Sequence, residues 1–123
     1  MRFSRLTIVA AAVCSAAFSS TAAFAQSGYM TCLLYRATGG GGPRTYYTYP
    51  FQADSADEDA MTSIFQTVAV ESGMLQSTDQ TLGGCHWEAK KNQAFGIAKG
   101  FLAKYRGNEF DFSRAMESKL KGR

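Results

Sequence analysis

Residues 29–51, YMTCLLYRATGGGGPRTYYTYPF, have the pattern of two strands and the turn between them. Residues 29–36 are rich in aromatic and apolar side chains, and residues 45–49 have the strongest β-propensity of the chain. The glycines at 39–42, followed by Pro43, cannot continue a strand. The stretch therefore predicts a β-hairpin whose second strand ends near Pro50, since proline has no N–H for a ladder hydrogen bond.

The alternation of side chains suggests a register for this hairpin. If Leu34 pairs with Tyr47, every second residue of both strands faces the helices. This inward set is Met30, Cys32, Leu34, Tyr47, Tyr49 and Phe51, joined from a short third strand by Cys85 and Trp87. The outward set is Thr31, Leu33, Tyr35, Tyr46, Thr48 and His86. A slip of the hairpin by one residue would exchange the two sets.

Two helices and a last strand follow the hairpin. Ser55 and Glu58 have the spacing of a capping box, and an apolar stripe with helical spacing runs from there to Gly73. A second stripe spans about residues 88–106 before Gly107, and residues 108–112 alternate like a strand. The order ββαβαβ predicts an α+β two-layer sandwich, with a small, mostly antiparallel sheet and two helices on one face.

The first 25 residues have the features of a cleaved signal peptide. Arg2 and Arg5 precede an apolar run at 6–18, and the leader ends in Ala23-Phe24-Ala25. The run is shorter and less apolar than a membrane anchor, and Val13 disfavours the alternative in which Cys14 is acylated. We therefore expect export to the periplasm or medium, a single domain at 26–112 and a basic tail at 113–123.

Removal of the leader leaves two cysteines, Cys32 and Cys85, separated by 53 positions. An even number of cysteines in a small exported domain predicts a disulfide. The alternative, a metal site made of both cysteines and His86, would have two ligands adjacent in sequence and no second histidine. We expect the disulfide, with neither a metal nor a cofactor.

Charge argues against nucleic acid as a partner. The formal net charge of +3 includes two leader arginines, whereas all 10 acidic residues lie beyond the leader, so the exported part is close to neutral. Within it, residues 54–71 carry acids without bases and residues 90–106 carry bases without acids. We expect two helices of opposite charge and no stable membrane span after cleavage.

The sequence does not predict an enzyme. His86 is the only histidine, and the acidic residues cluster where helix capping and the helix dipole account for them. The glycine run at 39–42 is followed neither by Lys-Ser/Thr nor by a helix, so it predicts a turn rather than a phosphate loop. We expect no catalytic residues.

The surplus of aromatic residues favours binding instead. With both helices on one side of the sheet, the other side would present Tyr35, Tyr46, Thr48 and His86 to solvent. Exposed flat rings beside hydroxyl groups suit a glycan or a protein of the cell envelope. The alternatives are that these rings are core residues or cross-strand pairs, or that the chain is an exported inhibitor or immunity-type protein acting through the loop at 39–43.

Two resemblances accompany this interpretation. The leader, the Cys-containing strand, the segment TYYTYPF at 45–51 and Cys85-His86-Trp87 before an Ala- and Lys-rich helix resemble small exported proteins of alphaproteobacteria. That resemblance implies export and carries over no functional residues. Residues 87–112 resemble half of a sporulation-related-repeat domain, a peptidoglycan-binding α+β module, which implies glycan binding by analogy of architecture.

Overall fold

A computed structural model describes residues 25–122, so the predicted leader lies outside it except for Ala25. The strands are β1 (Ser27–Arg36), β2 (Arg44–Tyr47), β3 (Phe51–Asp54), β4 (Leu82–Glu88) and β5 (Asn108–Asp111). The α-helices are α1 (Glu58–Glu71), α2 (Lys91–Lys104) and α3 (Ser113–Lys121). Within the described range, the α+β class is confirmed. The chain order is βββαβαβα, which differs from the expected ββαβαβ because the second strand is divided into β2 and β3 and because α3 is added.

Strand β1 is the centre of a five-stranded sheet within residues 25–122. Its two halves pair antiparallel with β2 and β3 along one edge. Its other edge pairs antiparallel with β4, and β5 lies parallel beside β2. The sheet is therefore mixed but mostly antiparallel, as expected.

The hairpin register agrees with the expectation at one end and is shifted by one residue at the other. Met30 pairs with Phe51 as expected, but Tyr47 lies opposite Leu33 instead of Leu34. One extra residue therefore lies between β2 and β3, which is the definition of a β-bulge. At the bulge the Cys32 N–H donates to Thr48 Oγ1 at 3.0 Å, so a threonine hydroxyl replaces the ladder carbonyl.

The shift exchanges the inward and outward residues of β2. Tyr46 is completely buried, stacks near Phe110, and donates its hydroxyl to the Met74 carbonyl at 2.6 Å. The expectation that Tyr46 faces solvent is therefore wrong. The buried residues that form this core are Met30, Cys32, Leu34, Tyr46, Met61, Phe65, Val68, Ala69, Leu75, Cys85, Phe112 and Met116.

The helices are distributed over both faces of the sheet, whereas the expectation placed them on one. α1 and α3 contribute to the core just described. α2 contacts β1 from the opposite face, where Tyr105, just past its end, packs against Tyr35 and accepts the Thr45 hydroxyl at its carbonyl. The adjacent residues Leu33 and Leu34 of β1 point to opposite faces of the sheet, and both are completely buried. Each face of β1 therefore needs a helix to cover it.

The segment expected as a basic tail is part of the domain. Residues 113–121 form α3, whose Met116 is only 1% exposed and packs in the core. Lys119 adds an exposed ion pair with Glu71 of α1, with 2.9 Å between Nζ and Oε1. Burial of an apolar residue in the middle of α3 explains why this polar sequence is ordered as a helix.

Ser55 and Glu58 do not form the expected capping box. The first turn from Ser55 to Asp57 is a 3₁₀ helix, and the Ser55 hydroxyl accepts the N–H of Gln26. The Glu58 carboxylate accepts the N–H of Trp87 at 2.8 Å. One helical turn further along α1, the Thr62 hydroxyl accepts the N–H of Cys85, also at 2.8 Å. The start of α1 therefore covers the outer edge of β4, which removes unpaired strand donors.

The Cys32–Cys85 disulfide is confirmed. The two cysteines lie directly opposite each other on β1 and β4, with 4.0 Å between their Cα atoms. Both side chains belong to the buried core. The bond therefore links the hairpin to β4, which follows α1 in the chain.

Candidate functional site

The residues expected to form a binding face do not lie together on an open surface. Tyr46 and Thr48 are completely buried, and Tyr35 is half-buried with its ring centroid 5.2 Å from that of Tyr105. His86 alone among the four is exposed. The predicted face is therefore wrong, because β2 is shifted by one residue and α2 covers much of that side of the sheet.

Three other rings form an exposed cluster, which we call the aromatic patch: Tyr47, Tyr49 and Phe95. The Tyr49 ring centroid lies 5.7 Å from that of Tyr47 and 6.2 Å from that of Phe95, at interplanar angles of 86° and 60°. Tyr49 is 52% exposed and Phe95 45% exposed. Because these rings are contiguous, they form a candidate contact surface, whereas an exposed apolar residue that stands alone does not.

The bulge and helix α2 position the aromatic patch. Tyr49 lies in the break between β2 and β3, and its N–H donates to the Ser113 hydroxyl at 2.8 Å instead of to a strand. Phe95 lies in the second turn of α2, next to Ala94, which is buried. Because Ala94 and Ala98 are small, α2 packs close to the sheet and holds Phe95 beside Tyr49.

Shallow grooves run on both sides of Tyr49 and Pro50. One is lined in addition by Lys91, Asn92 and Phe95, which places an ammonium group and an amide beside the rings. The other lies between β3 and α3. The first groove therefore combines flat apolar surface with hydrogen-bonding groups, as ligand sites commonly do.

Tyr47 contributes a neutral hydroxyl to the aromatic patch. Burial, together with the nearby carboxylate of Asp111, raises the pKa of Tyr47 above its ordinary value of 10.0. The phenol therefore stays protonated at physiological pH and can both donate and accept a hydrogen bond.

The described residues do not assemble a metal centre. No group of three or more His, Cys, Asp or Glu side chains within residues 25–122 is arranged to hold a metal ion. Cys32 and Cys85 are joined in the disulfide, so they offer no thiolate to the alternative site with His86.

The glycine loop folds around an arginine of the same hairpin. Arg36 is 4% exposed, and its Nη2 donates to the carbonyls of Gly40 and Gly42, both at 2.7 Å. A Cβ at Gly39, whose φ is +143°, would lie 2.9 Å from the guanidinium carbon. Gly39 is therefore required for close packing around Arg36, and the carbonyls of Gly40 and Gly42 anchor the loop to the guanidinium.

Comparison of the chain with protein-family models, curated proteins and solved structures gave no match. The resemblance of residues 87–112 to a peptidoglycan-binding module therefore stays a prediction.

Sequence reasoning missed the aromatic patch, although one signal for it was present. Phe95 lies outside the apolar stripe of α2, which Ala94 and Ala98 define, so a large ring there had no place in the core. An apolar ring off the buried stripe of an amphipathic helix indicates a surface contact. Tyr49 had no comparable signal, since its exposure depends on the bulge at Thr48.

Proposed function

We propose that this chain is an exported, non-enzymatic binding module of the cell envelope and that its aromatic patch holds a glycan. The observation that carries the proposal is the exposure of Tyr49 and Phe95 beside Tyr47, on a surface that also offers Lys91 and Asn92. Aromatic faces pack on the apolar faces of sugar rings, while nearby polar groups bind the sugar hydroxyls.

The small size of the aromatic patch favours a glycan over a protein ligand. A stable protein interface takes about 800 Å² and 20–30 residues from each partner. Three rings and two polar side chains along an open groove are far fewer, but they suffice for a few sugar units of a linear polymer. A repetitive wall polymer would offer many equivalent positions at which a single patch can bind.

The support beneath the rings suits binding without rearrangement. Tyr49 is tied by its backbone to Ser113, and Phe95 stands on a helix packed against the sheet. Rings held in place before binding lose little conformational entropy when the ligand arrives. This arrangement favours a contact surface that is ready in the free protein.

The cell envelope is supported by the leader-like sequence and the disulfide. A buried disulfide between Cys32 and Cys85 is typical of proteins that fold in an oxidising compartment. Among the helices within residues 25–122, none combines the length and apolar character needed to cross a membrane. The periplasm or the medium is the proposed location.

Removal of the two exposed rings should abolish most glycan binding. We expect Tyr49→Ala/Phe95→Ala to lower retention on purified cell wall by about tenfold, a loss of about 1.4 kcal/mol. Leu82→Ala is the matched control, since Leu82 is 54% exposed but lies outside the aromatic patch. Retention is measured by sedimentation with insoluble wall material, and circular dichroism checks that each variant is folded.

Equal retention of the double variant and the Leu82→Ala control would refute the proposed site. If the chain is instead an inhibitor or immunity-type protein acting through residues 39–43, shortening this loop should abolish the inhibition while retention on the wall persists. A role as an enzyme predicts an activity that is lost in His86→Ala. If the aromatic patch holds the glycan, neither the shortened loop nor His86→Ala should affect retention on the wall.

A further inference from the structure

The side of the aromatic patch formed by α2 carries positive charge. Lys91, Phe95 and Lys99 are spaced four residues apart on α2, so they follow one another along the same side of the helix. Lys99 Nζ lies 5.9 Å from the centroid of the Phe95 ring, and Lys91 lines the groove beside Tyr49. The helix thus presents two cations with an exposed ring between them.

These lysines are available to a ligand. Both are exposed, and neither takes part in an ion pair within residues 25–122. Asp111 and Glu109 on β5 act on Tyr47, and Glu117 of α3 lines the second groove beside Tyr49 together with Lys121. The charge along the side of α2 next to the first groove is therefore positive, whereas the opposite end of the patch is acidic.

We infer that the glycan held by the aromatic patch is an anionic polymer, whose sugar rings lie on Tyr49 and Phe95 while its acidic groups pair with Lys91 and Lys99. This inference rests on the proposed function and adds the chemical class of the ligand. Eight residues of α-helix separate the two lysines by about 12 Å along the axis, enough to span more than one sugar unit. Exposed lysines supply long-range attraction that salt screens, so binding should weaken as ionic strength rises.

Isothermal titration of the purified protein against four probes tests the inference. The probes are a galacturonic-acid oligomer, a neutral galactose oligomer of the same length, inorganic polyphosphate and phosphatidylglycerol vesicles. We expect the acidic oligomer to bind about fivefold to tenfold more tightly than the neutral one at low salt, with the preference falling at higher salt. Polyphosphate, which has charge but no sugar rings, and the vesicles should bind more weakly than the acidic oligomer.

Two matched variants assign the preference to the lysines. Lys91→Gln/Lys99→Gln should remove the preference for the acidic oligomer, so that the acidic and neutral oligomers bind equally. Lys104→Gln/Arg106→Gln makes the same change of charge at the last residue of α2 and two residues beyond it, and should keep the preference. Tyr49→Ala/Phe95→Ala should weaken the binding of both oligomers.

The outcomes separate this inference from the proposed function. Equal binding of acidic and neutral oligomers in the wild-type protein would overturn the inference and leave glycan binding standing. Tighter binding of polyphosphate or of vesicles than of the acidic oligomer would overturn it in favour of charge alone or of a membrane surface. If neither oligomer binds, the inference fails, and retention on purified cell wall decides whether the proposed function stands.

Discussion

Reduction of the Cys32–Cys85 bond should lower the free energy of unfolding by about 4 kcal/mol, one of the two largest effects that we expect. The bond closes a sequence separation of 53 residues, and restricting the unfolded chain over that length accounts for this value in the chain-entropy model. The net stability of a small domain is about 5–15 kcal/mol. We therefore expect the midpoint of thermal unfolding to fall by about 15–30 °C.

Thermal unfolding with and without dithiothreitol measures this effect. The control is Cys32→Ala/Cys85→Ala, which should be as unstable as the reduced protein and should not respond to the reductant. A change of only a few degrees on complete reduction, checked by thiol titration, would contradict the disulfide's role. It would mean that the packing of β1 against β4 already supplies most of the order.

The second large effect concerns the two neighbouring tyrosines of β2. Tyr46 is completely buried among Phe110 and Phe112, so Tyr46→Ala should destabilise the domain by about 3–5 kcal/mol, as other large aromatic truncations in cores do. Tyr47 is half-buried at the aromatic patch, so Tyr47→Ala should cost only about 1 kcal/mol. The difference is measured by urea unfolding of both variants.

Tyr46→Phe separates packing from hydrogen bonding in the same experiment. It keeps the ring and removes the bond to the Met74 carbonyl, which Arg44 Nη1 still contacts at 3.0 Å, so the loss should be about 1 kcal/mol. A larger loss for Tyr47→Ala than for Tyr46→Ala would contradict the observed register. That result would restore the pairing of Leu34 with Tyr47.

The register shows where prediction from the sequence reached its limit. The pairing of Met30 with Phe51 could be predicted from alternation, and the structure has it. The shift at Tyr47 could not, because it depends on a bulge in which the Thr48 hydroxyl accepts a backbone N–H. A side chain that substitutes for a ladder carbonyl leaves no mark in a pattern of apolar and polar residues.

The sequence contains a signal for the distribution of the helices, although it contains none for the shift in the hairpin register. Leu33 and Leu34 are adjacent, so one of them must point away from any single-sided core, and a helix is needed to cover it. Strict alternation would have given β1 one apolar face and one polar face. The consecutive leucines therefore indicate helices on both faces, although we expected one.

The disulfide was predictable because counting sufficed. Only Cys32 and Cys85 remain beyond the leader, and pairing them needs no knowledge of the fold. The aromatic patch, in contrast, joins Tyr49 from the hairpin with Phe95 from α2, 46 positions later in the chain. Long-range contacts of this kind depend on how α2 crosses the sheet, which local patterns do not specify.

The role of the glycine run also became clear only from the structure. The sequence predicts a turn at residues 39–42, and a turn is present with the Gly42 N–H donating to the Gly39 carbonyl. The buried guanidinium of Arg36, which the loop carbonyls hold, had no signature in the sequence. A buried charge needs such acceptors, so the loop stabilises its own hairpin.

Mapping of ligand contacts by amide proton–nitrogen NMR shows whether the aromatic patch is the surface that holds the glycan. The purified protein is titrated with the galacturonic-acid oligomer, and the shift of each backbone amide is followed. We expect the largest changes at residues 47–49 and 91–99, around Tyr49 and Phe95. Changes centred on residues 39–43, or on Tyr35 and His86, with the amides around Tyr49 unaffected, would contradict this expectation.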